Sequence, residues 1–347
     1  MLKYKMNWLF LGLFIPALTF AQEKQRRINR TFQTNSNTEI QVKNQFGRIH
    51  INTWDKNEVQ LEVVIRAEMR NEAKSQEFID RVEIEISESS SILAFETDFG
   101  GKMNNRKGES FSIDYTISMP GANSLNLANK FGDIYVGNLS GDLEVELKYG
   151  KMKADKLTGR SDIELGFGGA NIDELGDSEI EAKYSNVRVN KVLDLDLEQH
   201  YSDVEIESVQ DVRLRSKYGE VELGSIRSIK GDAGFTDFEI DEVSESVDLD
   251  MEYVGDFNIS RVQKGFKEIR LDAKYTTMDV RVDGGVNGKF EAVFRYSDLS
   301  QRGEEMDLNY VVKDYNRKEY RGKIGSGGPA LIWVDSSYGD LRMSFGN

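Results

Sequence analysis

The sequence predicts an all-β chain, built as a single-stranded β-solenoid or β-helix of ~17–22-residue coils with an N-terminal β-rich cap. Three observations predict it. An aromatic–small-turn–β-branched motif recurs at near-constant spacing, the apolar residues alternate inside each unit, and the alternation slips by one residue at each motif. Glycine is plentiful, at 31 residues, and proline scarce, at three, as expected for strands with tight corners rather than extended linkers.

Residues 1–21 read as a secretory signal peptide. Lys3 and Lys5 precede a mostly apolar stretch from Trp8 to Phe20, and Thr19-Phe20-Ala21 offers a cleavage site. The apolar run falls short of the ~20 residues of a transmembrane helix, and no second run of that length follows. The mature chain is expected to start near Gln22, to be exported to the periplasm or cell surface, and to have no membrane span. There is no Cys, which excludes a lipid-anchored start and disulfides, so stability must come from the core.

The 60 acidic residues outnumber the 45 basic ones, for a net charge of −15. Nucleic acid and anionic lipid both require a basic face, so neither is an expected partner.

Residues 22–119 are expected to form the cap. Phe46-Gly47-Arg48-Ile49-His50-Ile51 is an early copy of the motif, followed by Trp54-Asp55 and a strand through Val59, Leu61 and Val63. Residues 69–80 read as a short helix. Strands are expected at Val82–Ile86, Ile92–Phe99 and Phe111–Met119 around a polar loop, Gly100–Glu109. Such a segment covers the open end of a coil stack.

Residues 120–347 carry the repeats. The motif aromatics are Phe131, Tyr149, Phe167, Tyr184, Tyr201, Tyr218, Phe235, Tyr253, Tyr275, Tyr296 and Tyr338. They step by 17 or 18 residues as far as Tyr253 and then by 22 and 21. The final gap of 42 reads as two steps of 21. Leu143, Val145, Leu147 and Tyr149 share one strand face, and Met152 and Ala154 resume one residue out of phase, which places a corner at Gly150. Coils at ~4.8 Å spacing put Phe131 and Tyr338 about 53 Å apart over eleven steps. The aromatics are expected to form an internal ladder, each ring stabilising by ~2 kcal/mol, rather than an exposed platform for sugar rings. After Met343 the chain offers no dedicated cap. Either Gly303–Pro329 folds over that end or the edge is left for a partner, including self-association.

Lys130, Lys148, Lys183, Lys217, Lys274 and Arg295 directly precede aromatics, as does His200. Asp133, Asp203, Glu220, Asp237, Asp298 and Asp340 lie two residues beyond them. The two outward lines are read mainly as solubilising, each ion pair contributing well under ~1 kcal/mol. The sharper alternative makes the basic line a track for an anionic polymer.

The motifs Phe46–Ile51 with Trp54-Asp55, Met119-Pro120, and Phe131-Gly132-Asp133-Ile134-Tyr135-Val136-Gly137-Asn138-Leu139-Ser140-Gly141 resemble the adhesin-like β-strand-repeat family of unknown function. That family is similar to the head domain of "putative" autotransporter adhesins. The resemblance spans roughly residues 38–347 and implies an exported β-solenoid or β-helix, with no catalytic residues to carry over.

Little else points to chemistry. Two His lie far apart, and no nucleophile elbow is present. Gly166-Phe167-Gly168-Gly169-Ala170 reads as a turn rather than a phosphate loop. Asp194/Asp196 and Asp248/Asp250 read as outer-face acids. No metal, cofactor or catalytic site is expected. The function expected is non-enzymatic binding or scaffolding of an envelope protein or glycan. The alternatives are a polysaccharide-active β-helix enzyme and an envelope sensor or regulatory partner.

Overall fold

The computed structural model describes residues 23–101 and 108–346. The expected signal peptide at 1–21 lies outside the described residues. Among those residues the chain is nearly all β, with 24 strands in a single hydrogen-bonded sheet and one helix.

The repeats pair in parallel and in register, one motif spacing apart, on two ladders. On the first, Leu125–Lys130, Leu143–Lys148, Ser161–Gly166 and Ser178–Lys183 follow one another, with Leu143 opposite Leu125 and Ser161, and Ser178 opposite Leu195. On the second, Ile134–Val136, Lys151–Leu157 and Gly169–Leu175 do the same. From Asn186 to Glu252 strand follows strand with no intervening loop, the chain turning at the left-handed Tyr201, Tyr218 and Phe235. In-register pairing puts chemically alike residues in rows: Leu143, Val145 and Leu147 lie beside Ile163 and Leu165, all buried. Each such side chain contributes roughly 1.5–3 kcal/mol by leaving water.

The two ends are built differently. At the N-terminal end, Glu39–Gln45 lies between Leu125–Lys130 and Ile92–Asp98, and Ile49–Trp54 lies between Ile134–Val136 and Ser110–Pro120. Three antiparallel pairings finish it: Glu83–Glu88 on Ile92–Asp98, Glu58–Glu68 on Ser110–Pro120, and Lys24–Gln33 on Glu58–Glu68. The helix runs Glu72–Arg81, begins with Asn71 accepting a hydrogen bond from the Lys74 amide, and buries Phe78 and Ile79.

At the C-terminal end, chain order and spatial order part company. Ala330–Ser337 inserts between Glu268–Lys274 and Gly288–Arg295, and Leu341–Phe345 between Thr277–Val282 and Leu299–Arg302. Tyr338 therefore stacks on Tyr275 and precedes Tyr296, nine steps from Phe131 rather than the eleven expected. The gap of 42 residues is not two steps along the stack. Within Gly303–Pro329 the chain forms a hairpin, Met306–Asp314 with Arg317–Ile324, which adds two mutually antiparallel strands beyond Gly288–Arg295.

Candidate functional site

The motif aromatics do not line the interior. Ten of the eleven rings are 43–56% exposed, and Tyr218 is half-buried. Simple alternation places Tyr149 on the inner face with Leu147, but Tyr149 has φ +57°, so the corner begins at the ring itself and turns it outward. Phe46 and all eleven aromatics share this left-handed conformation, with φ between 51° and 61°. It costs a non-glycine residue roughly 1–2 kcal/mol.

Stacking offsets that cost. The order in space is Phe46, Phe131, Tyr149, Phe167, Tyr184, Tyr201, Tyr218, Phe235, Tyr253, Tyr275, Tyr338, Tyr296. Successive centroids are 4.6–5.1 Å apart and the planes within 24° of parallel. An aromatic pair contributes about 0.5–1.5 kcal/mol beyond area burial. Because each ring covers its neighbour's faces, the column does not offer a platform for sugar rings either. Ring edges and the tyrosine hydroxyls are what it presents. Its first ring, Phe46, is closed off by Phe111 and Phe99 at 5.1 and 6.0 Å. At its last, Tyr296 accepts a hydrogen bond from Asn316 Nδ2 at 2.9 Å. Burial between Tyr218 and Tyr184 holds the Tyr201 phenol above its usual range.

Gly, Ser or Thr follows every ring except Tyr253, where Val254 does, because neighbouring corners nearly touch. A Cβ on Gly132 would lie 2.0 Å from the Gly47 carbonyl oxygen, and one on Gly150 2.2 Å from that of Gly132. Further along, hydroxyls replace the glycines and link adjacent corners. The Ser185 amide donates to Ser202 Oγ at 3.1 Å, and the Val254 amide to Thr276 Oγ1 at 3.1 Å. Gln199 is fully buried where earlier units have Leu147 and Leu165; it accepts from the Ser202 amide and donates to Ser216, which bonds Thr236 at 2.9 Å. Phe167 also occupies a left-handed corner, so Gly166–Ala170 is a turn into the strand Gly169–Leu175.

The basic residues occupy one row in register, but it is discontinuous. Lys130 is opposite Lys148, Gly166 opposite Lys183, and Ser337 separates Lys274 from Arg295. Several members are already paired. Lys148 Nζ meets Glu146 at 2.6 Å and Glu164 at 3.4 Å, Lys183 meets Glu181, and Arg295 meets Asp335. The hydrogen bond from Glu146 raises the Lys148 pKa, as Glu181 does for Lys183. Lys217 Nζ sits 5.5 Å over the Tyr218 ring. In the acidic line, Asp133 accepts the Lys151 amide and Asp340 the Asp298 amide, both at 2.8 Å. These carboxylates tie one corner to the next.

Sequence reading missed the row Asp250, Asp272, Asp335. Burial, then repulsion from Asp335 and Asp250, raises the Asp272 pKa. Asp250 and Asp272 line an open groove of about 660 Å³ with Glu198, His200, Arg215 and Lys217. Spacing does not reveal this row, because Asp335 reaches it only through the inserted last motif. No group of three or more metal-ligating side chains is placed to hold an ion among the described residues.

These features define a class: an all-β chain of in-register parallel repeats bearing one exposed aromatic column. No family model and no curated protein matches the chain. Among solved structures it is similar to a "putative cell adhesion protein" from Clostridium sporogenes ATCC 15579, at 11% identity and TM-score 0.23, covering 93% of this chain and 100% of that one. It is also similar to a "putative adhesin" from Bacteroides fragilis NCTC 9343, at 12% identity and TM-score 0.27, covering 92% and 97%. A third is a "putative lipid binding protein" from Parabacteroides distasonis ATCC 8503, at 11% identity and TM-score 0.28, covering 91% and 96%.

Proposed function

We propose that the chain is a β-solenoid exported to the cell envelope, where it acts as a non-enzymatic binding or scaffolding protein for a protein or glycan. The observation that supports a binding role is the column itself. Twelve residues are held in an unfavourable backbone conformation, and ten of their rings stay about half exposed to water. Strain retained at an exposed, repeated position is the pattern of a functional surface. An extended row of ring edges and hydroxyls suits a long or repetitive ligand, since many weak contacts at regular spacing add along the column.

The test uses the purified chain from Gln22 onward on a glycan array and in pull-downs from envelope extract. Retention without turnover is expected, and it should fall when Tyr184, Tyr201, Tyr253 and Tyr275 are changed together to Phe. That variant keeps the stack and removes four hydroxyls. Release of a cleaved product, or retention indifferent to the hydroxyls, refutes the reading.

A further inference from the structure

Among the described residues, the first ladder ends in a strand with one unpaired edge on each side: Glu83–Glu88 at the N-terminal end and Met306–Asp314 at the C-terminal end. Free edges present unpaired amides and carbonyls, and proteins usually protect them. These two carry exposed apolar side chains. Tyr310, Val311 and Val312 are 43–46% exposed on one, and Ile86 is 37% exposed on the other. A bulge kinks the C-terminal edge between Leu308 and Tyr310, leaving Tyr310–Asp314 as its regular portion.

Charge and direction match the ends to each other. Residues 83–98 hold five acidic residues and no basic one, whereas the hairpin of residues 306–324 holds five basic residues against three acidic, four of the basic ones on Arg317–Ile324 and only Lys313 on the edge strand beside Asp307 and Asp314. Like ends repel and unlike ends attract. Met306–Asp314 runs parallel to the repeats, being antiparallel to a strand that is itself antiparallel to Gly288–Arg295. Glu83–Glu88 runs against them. End to end, the two edges meet antiparallel.

The ends also fit in height. Past Gly288–Arg295 the first ladder gains two strands, while nothing further pairs on Leu299–Arg302 in the second among the described residues. At the N-terminal end the first ladder gains two strands past Glu39–Gln45, and the second gains three past Ile49–Trp54. A junction therefore holds four strands on one ladder and three on the other, a mismatch of one strand spacing, ~4.8 Å.

We propose that Met306–Asp314 of one molecule pairs antiparallel with Glu83–Glu88 of a second copy, continuing the first ladder head to tail. Such a contact joins two different surfaces, so it does not close on itself and grows open chains. It is independent of what the aromatic column binds.

Sedimentation of the mature chain over a concentration series tests this. The weight-average mass should rise past that of a dimer and fall back as salt is added. Val311→Lys/Val312→Lys should block one end and Glu85→Lys/Ile86→Lys the other, each variant remaining monomeric alone. An equimolar mixture should form a one-to-one dimer and nothing larger, which also shows that both variants are folded. A wild-type chain that stays monomeric overturns the proposal. So does a Glu85→Lys/Ile86→Lys variant that still dimerises, the mark of a two-fold contact between C-terminal edges, or a mixture that stays monomeric.

Discussion

At an ordinary strand position glycine is worse than alanine; at the aromatic corners the order should invert. Tyr201 provides the test. It has φ +53°, is 49% exposed, and stacks on Tyr184 at 5.0 Å and Tyr218 at 4.6 Å. Tyr201→Ala removes two stacking contacts, about 1–3 kcal/mol together, and roughly 1 kcal/mol of half-buried ring. The left-handed strain remains, so the loss should be about 2–4 kcal/mol. Tyr201→Gly loses the same contacts but relieves about 1–2 kcal/mol of strain, against roughly 0.5–1 kcal/mol of extra unfolded-state entropy. The glycine variant should therefore be the more stable by about 0.5–1 kcal/mol. Urea unfolding followed by circular dichroism measures both, with Lys153→Ala and Lys153→Gly, on an exposed strand position, as the control in normal order. If Tyr201→Gly proves equal to or less stable than Tyr201→Ala, the corner is not strained as described.

Three further outcomes follow from the same geometry. Gly150→Ala drives a Cβ to 2.2 Å from the Gly132 carbonyl oxygen, so backbone must shift and the urea midpoint should fall by the equivalent of about 1–3 kcal/mol. Gln199→Ala strands the Ser202 amide inside the core, leaving the Ser216 hydroxyl only Thr236 as partner, and should cost about 1–3 kcal/mol, whereas Lys148→Ala, on exposed pairs, should cost less than about 1 kcal/mol by the same measurement. Asp272 has a folded-state pKa above its unfolded value, so the native state holds its proton longer, and its contribution to stability falls as pH rises through that interval. Asp272→Asn should raise stability at neutral pH and flatten that part of a stability-against-pH curve; an unchanged curve refutes the assignment.

Much of this was legible because a repeat writes its geometry many times. The 17- and 18-residue steps between Phe131 and Tyr253 are the parallel register itself, and the Leu143–Leu147 alternation gives the buried face. What misled was carrying that alternation through the corner. Period-two reasoning assumes β-region backbone at every residue, and Tyr149 leaves it one residue before Gly150. Glycine after the ring invites the left-handed assignment, yet Gly132 and Gly150 are there for close approach, while the aromatics take the positive φ. The order of the last two motifs was beyond spacing altogether, since Arg295–Leu299 and Ser337–Leu341 carry equivalent corners and only packing decides which meets Tyr275.

That equivalence has a structural consequence at the C-terminal end. Tyr296 and Tyr338 stack 4.9 Å apart with planes 4° from parallel, so either corner is a competent neighbour for Tyr275. The choice falls to the strands before them. Gly288–Arg295 accepts the antiparallel hairpin Arg317–Ile324 along its whole length, an arrangement open only to a strand with one edge free. Had Gly288–Arg295 joined Glu268–Lys274 directly, that edge would have had to serve both the hairpin and Ala330–Ser337. Inserting the final segment pairs Ala330–Ser337 on both sides and leaves the hairpin as the terminal, charged edge. The last residues of the chain are therefore interior strands, and the exposed end of the ladder is drawn from an internal loop.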